Sequence, residues 1–237
     1  LYLPPLSDEF NPDATRGALK ILKEANNNPL FAHIDNIEEK DVASYRKLGC
    51  ECILNSHDYI CLREDLTGLK GNDFKSKRAN YNYFSKHYNH AYKPLSRDYA
   101  QECIKLYKSW AGQRKKGNTD PVYQGMLDDG LLVLKNSFRN YANFGFKGGA
   151  VFIDKKLKAF TFGYSLDKEI FCVFYEVADL EIKGLAQFIF REFSKKLQGY
   201  KYINTMDDSG IEGLRKVKLS YHPELMVASY SARIKNG

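Results

Sequence analysis

A mixed α/β fold, with a central sheet and helices on both of its faces, is predicted by three observations. Strand-like and helix-period segments alternate along the chain. Three apolar strand-like runs, Gly148–Ile153, Lys158–Leu166 and Ile170–Val177, are separated only by the polar turns Asp154-Lys155-Lys156 and Asp167-Lys168-Glu169. Such spacing makes them antiparallel neighbours. A helix-period segment, Gly184–Leu197, then leads to a further strand, Tyr200–Asn204, as a crossover does.

Each element has a local reason. Asn11 precedes Pro12, a capping side chain followed by a residue whose fixed φ suits a first helical turn. Ala18, Leu19, Leu22 and Ala25 give that helix its apolar stripe, and Asn26-Asn27-Asn28-Pro29 ends it. Leu30–Ile34 is expected as a short strand and the region around Glu38–Leu48 as a helix. Cys52-Ile53-Leu54 and Tyr59–Leu62 read as two strands parted by the polar run Asn55–Asp58. Asp65–Tyr88 reads as a basic helix. A strand at Tyr92–Leu95, a helix at Tyr99–Gln113 carrying Cys103, Leu106, Tyr107 and Trp110, and a helix at Tyr123–Tyr141 come next. In Gly184–Leu197, the side chains of Leu185, Phe188, Ile189 and Phe193 share one face. Ile211–Tyr221 is a helix stopped by Pro223, and Leu225–Ser231 is a final strand. From residue 91 the order is β-α-α-β-β-β-α-β-α-β.

Composition sets bounds. A chain of 237 residues, 43% hydrophobic and 27% charged, has the make-up of a soluble globular protein of one large or two small domains. It holds no apolar run of membrane-spanning length and no signal-peptide pattern. A cytoplasmic location is expected from the cysteine usage. The first residue is Leu, and Leu1–Leu6 reads as the end of a strand, so further sequence is expected upstream. The five cysteines, Cys50, Cys52, Cys61, Cys103 and Cys172, fit no zinc spacing, and the histidines are scattered. Reduced thiols and no metal are expected. A net charge of +7 favours an anionic partner: tRNA, a lipid headgroup or a phosphorylated cofactor.

Two segments concentrate polar chemistry. Between Lys70 and Lys93 stand Lys70, Lys75, Lys77, Arg78, Lys86 and Lys93 against Asp73 alone, interleaved with Phe74, Tyr81, Phe84 and Tyr88. Cations reach phosphates and rings stack on bases, so this is either a nucleic-acid-facing helix or a solvated amphipathic linker. The second segment runs from Ile203 to Pro223. It is a strand end, an acidic turn at Asp207-Asp208, and a helix bearing Glu212, Arg215 and Lys216. Helix mouths offer free N–H groups, so chemistry and simple capping both fit there. Asp208 or Ser209 caps the helix in the structural reading, and Glu212 pairs with Arg215 at i,i+3. In the functional reading Asp208 orients or deprotonates an attacking amine or hydroxyl, with Glu176 as the alternative base and Arg215 as a fork for phosphate or carboxylate. Lys77, Arg78 and Asn82 are candidate phosphate contacts. Asn204, Glu212, Lys216 and Tyr221 are candidates for binding the substrate, Tyr221 and Tyr202 being equally at home in a core.

The motifs Asp58-Tyr59-Ile60, Asp65-Leu66-x-x-Leu69-Lys70-Gly71, Lys77-Arg78 with Asn82 and Phe84, Gly148-Gly149, Ala159-Phe160-Thr161-Phe162-Gly163 and Glu176 resemble the C-terminal domain of phosphatidylglycerol lysyltransferases and its stand-alone relatives. The element order is similar to that of the Gcn5-related N-acetyltransferases. The resemblance implies tandem acetyltransferase-like halves. Residues 1–88 would be the C-terminal part of an incomplete first half with its basic connecting helix, and residues 89–237 a complete second half. It implies an aminoacyl-tRNA donor, an anionic acceptor such as a lipid headgroup, peripheral contact with membrane, and no cofactor. Ala79, Asn80 and Thr205-Met206-Asp207 depart from the family's usual Asn, His and Arg-Glu-Glu. At the start of the crossover helix, Glu181-Ile182-Lys183-Gly184-Leu185-Ala186 keeps the small residues of an acetyl-CoA loop but has a carboxylate where that loop begins with Gln or Arg. Either Gly184 and Ala186 serve close packing, or the chain is a CoA-dependent N-acyltransferase. A non-catalytic module that binds an anionic ligand is the third reading.

Overall fold

The computed structural model describes residues 1–26 and 32–234. The elements in chain order are α1 (Pro12–Ala25), β1 (His33–Glu38), α2 (Val42–Lys47), β2 (Cys50–Leu62), α3 (Arg63–Gly68), α4 (Lys75–His87), β3 (His90–Pro94), α5 (Ala100–Gly117) and α6 (Pro121–Arg139). They continue as β4 (Lys147–Ile153), β5 (Lys156–Ser165), β6 (Ile170–Ala178), α7 (Leu185–Lys196), β7 (Tyr202–Asn204), α8 (Glu212–Leu219) and β8 (Leu225–Ile234). Two compact units result. The first comprises Leu1–Tyr59, Asp207–Val217 and Leu225–Gly237, and the second Ile60–Met206 with Lys218–Glu224.

In the first unit, the Asn11 side chain accepts from the N–H groups of Asp13 (3.1 Å) and Ala14 (3.0 Å), which is the cap its sequence promised α1. β1 pairs antiparallel with β8, His33 opposite Arg233 and Ile37 opposite Tyr230. Leu19, Ile34, Ile37, Val42, Tyr45, Cys50 and Ala232 form the core. Three expectations need correction. Leu1–Leu6, expected as the end of a strand, is not in one. The strand foreseen at Leu30–Ile34 begins at His33 and runs on to Glu38, while Leu30 and Phe31 lie outside the described residues. The two strands foreseen around Asn55–Asp58 are one strand, β2. The polar run stays extended because a neighbouring strand satisfies it: the Asn55 side chain bonds the Ser231 hydroxyl of β8.

The second unit holds the strand order β2-β7-β6-β5-β4-β3, β2 entering through its last residues. β3, β4, β5 and β6 are antiparallel neighbours, while β6 and β7 run parallel on either side of the α7 crossover. Alternation along the strands sends side chains to opposite faces. Ala150, Phe160 and Val177 pack with Cys103, Tyr107 and Leu134 of α5 and α6. Val151, Ala159 and Ala178 pack with Phe84 of α4 and with Leu185, Phe188 and Ile189 of α7. Helices therefore cover both faces of this sheet. Each buried Phe, Leu or Ile adds about 2 kcal/mol.

Two details of this unit position the site. β7 pairs with β6 only over Tyr202–Asn204, opposite Ile170–Cys172, so β6 continues to Ala178 with β5 as its only partner strand among the described residues. The expected basic helix is also broken. Leu69 at φ 48° and Gly71 at φ 78° turn the chain between α3 and α4, because a left-handed residue ends a helix. α4 then lies directly on the start of α7. Gly184, at φ 82°, is so close to α4 that a Cβ there would stand 2.2 Å from the Asn80 carbonyl oxygen. Tyr81 donates to Glu192 at 2.7 Å, and Arg191 donates to the Thr67 carbonyl at 2.8 Å, tying α3, α4 and α7 together. Gly184→Ala should cost about 2–3 kcal/mol, through the unfavourable φ and the displaced backbone. Urea titration checks this. The midpoint should fall with little change in slope.

Candidate functional site

The polar group at the splayed part of the second unit starts with α4. Phe74, Lys77, Tyr81, Phe84 and Tyr88 recur at helical spacing, so Lys77 occupies a position in the apolar stripe. Its side chain is accordingly only 9% exposed. Its ammonium lies 4.0 Å from the centre of the Tyr221 ring. That contact adds about 0.5–2 kcal/mol. Among the described residues the ammonium makes no ion pair within 4.0 Å. Burial lowers the Lys77 pKa, and Glu176 works against that fall.

Glu176 stands on β6 beyond the last pairing with β7. Its side chain is accessible to water, yet protein crowds around it enough for desolvation to dominate. Desolvation pushes its pKa up to about 8, against the pull of Lys218 and Lys77. Lys218 also donates to the carbonyls of Thr205 and Met206, the latter at 3.1 Å. Tyr221 is held by Phe190, ring centres 4.9 Å apart, and its pKa is raised by burial and then by Glu176. His222, at φ 50°, ends this segment ahead of Pro223. Asn204 is 4% exposed, and its side chain accepts from the Met206 N–H at 2.6 Å, which fixes the chain as it leaves β7.

The acidic turn belongs to the first unit. Tyr59, 1% exposed on β2, donates to Asp208 Oδ2 at 2.5 Å. Asp208 Oδ1 accepts from the Gly210 N–H at 2.9 Å, and its carbonyl accepts from Ile211 at 2.8 Å. Asp208 therefore braces the turn ahead of α8 rather than capping the helix itself. Ser209, at φ 51°, lies in the same turn. Burial and then the bond to Asp208 raise the Tyr59 pKa, with Arg215 opposing. The expected Glu212–Arg215 pair does not form. Glu212 pairs with Lys216 instead, at 2.7 Å and i,i+4 spacing, and Arg215 remains exposed. Arg78, in the second unit, spends Nη1 on the carbonyls of Leu69 and Gly71, the latter at 3.0 Å. Asn82 is exposed.

The profile of the family described as "Phosphatidylglycerol lysyltransferase, C-terminal" matches residues 1–233. The chain belongs to this family. No curated protein matches it. Among solved structures, it is similar to a conserved protein of unknown function from Bacteroides thetaiotaomicron. That structure is 30% identical with a TM-score of 0.83, over 98% of this chain and 78% of the other. The C-terminal domain of a proposed lysylphosphatidylglycerol synthetase from Agrobacterium fabrum is 12% identical at a TM-score of 0.65, over 97% and 74%. L-PGS from Bacillus licheniformis is 19% identical at 0.62, over 86% and 68%. At these identities the two synthetase structures show a shared fold. The family is one of transferases, and among the described residues no helix is long and apolar enough to cross a membrane.

The phosphatidylglycerol lysyltransferase C-terminal fold thus brings Lys77, Glu176, Lys218 and Tyr221 together in one unit of this chain, while Asp208, Glu212, Arg215 and Lys216 lie in the other. Sequence reasoning missed Lys218 as a member. Its signal was the i,i+3 spacing to Tyr221. The arrangement can hold or release one proton near neutral pH beside fixed positive charge. A carboxyl whose folded pKa is raised from 4.5 to about 8 contributes stability below pH 4.5 that is lost as pH rises toward 8. Replacing it with an amide removes that loss. Glu176→Gln should therefore gain roughly 1 kcal/mol on the parent protein between pH 5 and pH 9, the value being reduced by solvent screening. Thermal melts of both proteins across that range check it.

Proposed function

We propose that this protein moves an aminoacyl group from aminoacyl-tRNA to a hydroxyl or amine of an anionic acceptor, for instance a phosphatidylglycerol-like lipid. One observation carries the reading: a carboxyl pushed up to about 8 stands at the splayed part of β6 in the field of two lysines. An aminoacyl ester is already activated, so the work left is positioning, proton removal and stabilisation of negative charge. Glu176, ionised, accepts the proton of the acceptor hydroxyl or amine as that group attacks the ester carbonyl carbon. The ester C–O bond to the tRNA ribose then breaks, and the ribose oxygen takes the proton back from Glu176. Lys77 offers its ammonium to the negative charge that develops. Within its own unit Asp208, braced by Tyr59 and Gly210, is a candidate for orienting substrate and exposed Arg215 for holding phosphate, while exposed Asn82 offers a phosphate contact in the second unit.

The same reading treats the chain as acetyltransferase-like halves, 1–88 and 89–237, working in the cytoplasm, where charged tRNA is made. It needs no cofactor. The close packing of α4 on Gly184 favours tRNA over a CoA thioester as donor, since a CoA pyrophosphate needs open N–H groups where that helix starts. Incubation with a pool of radiolabelled aminoacyl-tRNAs and anionic acceptors tests the proposal. Label should move to the acceptor, with kcat/KM rising with pH and levelling above about pH 8, the form with Glu176 ionised being active. Glu176→Gln should lower kcat/KM by about 100-fold or more and abolish that pH limb, with Asp208→Asn and Lys77→Ala run alongside. Turnover with acyl-CoA, or wild-type rates in Glu176→Gln, would contradict the reading.

A further inference from the structure

The face of the second unit's sheet that packs on α5 and α6, opposite α4 and α7, carries a second concave surface that the transfer reaction does not use. A groove of about 710 Å³ runs there between the end of α6, the chain from Phe144 to Phe146, and the strands β5 and β6. Phe144, Phe146, Tyr164 and Phe174 line it, with neighbouring ring centres 5.4, 6.2, 6.2 and 5.9 Å apart. Phe144 is 60% exposed, so its ring surface is open to a ligand. α6 adds two carboxamides one turn apart, Asn136 and Asn140. The Asn140 Nδ2 donates to the Asn136 carbonyl at 3.0 Å, and Asn136 Oδ1 accepts from Arg139 at 3.3 Å. Among the described residues this leaves the Asn136 Nδ2 and the Asn140 Oδ1 without a partner, one donor and one acceptor at the same groove. A volume of this size, walled by rings and carrying a few polar groups, suits a small molecule.

The groove adjoins a basic recess. Ser165 lines both, and the recess of about 500 Å³ carries Lys147, Lys168 and Lys196. Lys147 donates to the Tyr200 hydroxyl at 3.3 Å. Among the described residues none of the three lysines makes an ion pair within 4.0 Å. The one carboxylate of the recess, Asp167, accepts from the N–H groups of Glu169 and Ile170, both at 2.7 Å, and so is committed to the turn. Three cations gathered without a carboxylate partner suit a polyanion such as a chain of phosphates. The groove beside them suits a flat heterocycle. Bases stack on aromatic side chains, and an amide donor next to an acceptor matches the edge of a purine. A peptide would meet the rings and the amides but gives no reason for the gathered lysines. A run of RNA spaces its phosphates one per nucleotide, whereas here three cations share one recess next to a single ring-lined groove.

We infer that the groove and the recess together form a binding site for a soluble purine nucleotide with two or more phosphates. The base lies on Phe144 beside Asn136 and Asn140, and the phosphates meet Lys147, Lys168 and Lys196. This inference concerns binding alone and does not rest on the transfer reaction. Equilibrium dialysis of the whole chain against radiolabelled ATP and GTP tests it, with adenosine, tripolyphosphate and a single-stranded RNA oligonucleotide as competitors. At least one of the two nucleotides should bind saturably at one per chain, and more weakly as salt is raised. Adenosine and tripolyphosphate should each compete at least about 10-fold less well than the whole nucleotide, since each fills one half of the site. Neutralising the recess by Lys147→Gln, Lys168→Gln and Lys196→Gln together should weaken binding at least about 100-fold. Phe144→Ala should weaken it about 10-fold, and so should Asn136→Ala with Asn140→Ala, with unchanged circular dichroism confirming the fold in each. Four results would overturn the inference. One is no saturable binding of either nucleotide. Another is binding of parental strength in both the lysine variant and Phe144→Ala. The third is tripolyphosphate competing as well as the nucleotide, which would leave the groove without a role. The fourth is the RNA oligonucleotide competing at least about 10-fold better than the nucleotide, which would make the surface a nucleic-acid contact.

Discussion

A carboxyl on β6 standing in the field of two ammonium groups is the constraint on which the candidate site depends. Desolvation pushes Glu176 toward its protonated form and lowers the pKa of Lys77. Their mutual attraction opposes both shifts. Desolvation is the larger effect on both groups, and it holds the Glu176 carboxyl well above the ordinary glutamate range. A fully solvated pair would stay ionised, and a fully enclosed one would settle as a neutral pair. The Tyr221 ring beside the Lys77 ammonium supplies part of what water would have given that cation. The carbonyls of Thr205 and Met206 do the same for Lys218.

The scaffold makes this arrangement possible in a few steps. β7 is short, so β6 outruns it and carries Glu176 away from sheet pairing on that side. α4 can deliver Lys77 inward only because it lies close on α7, and that approach requires a residue without a Cβ at Gly184. Phe190 of α7 holds Tyr221 under the lysine, and Phe74 of α4 packs on His222, ring centres 5.2 Å apart. Site and core are therefore mechanically linked: the side chains that fix the proton-holding groups are the ones that pack α4, α7 and the end of α8.

Much of the fold was legible because its signals are local. The Asn11-Pro12 start, the two polar turns of the meander and the stripe of α7 each follow from short-range geometry. The crossover from β6 through α7 to β7 followed from the order of elements. What the sequence obscured depended on distant partners. Asn55–Asp58 looks like a loop until the β8 side chain that satisfies it is known. The break between α3 and α4 rests on Leu69 adopting a left-handed conformation, for which Leu gives no warning. At the site, Lys77 looked like one cation among several, although its place in the stripe of Phe74, Tyr81 and Phe84 already pointed inward. Arg78, one residue on, was committed to loop carbonyls in a way that no periodicity announces. Spacing alone could not choose between Arg215 and Lys216 as the partner of Glu212, since i,i+3 and i,i+4 are both neighbours on a helix.

Glu176 is held well above the ordinary carboxylate range because the protein around it, rather than any single partner, disfavours its charged form. The most direct measurement is a carbon-13 NMR titration of the side-chain carboxyls in protein labelled at glutamate, with Glu176→Gln to assign the resonance. A carboxyl titrating at about 8 should appear in the parent protein and be absent from the variant. A Glu176 resonance titrating near 4.5, the ordinary value for glutamate, would contradict it.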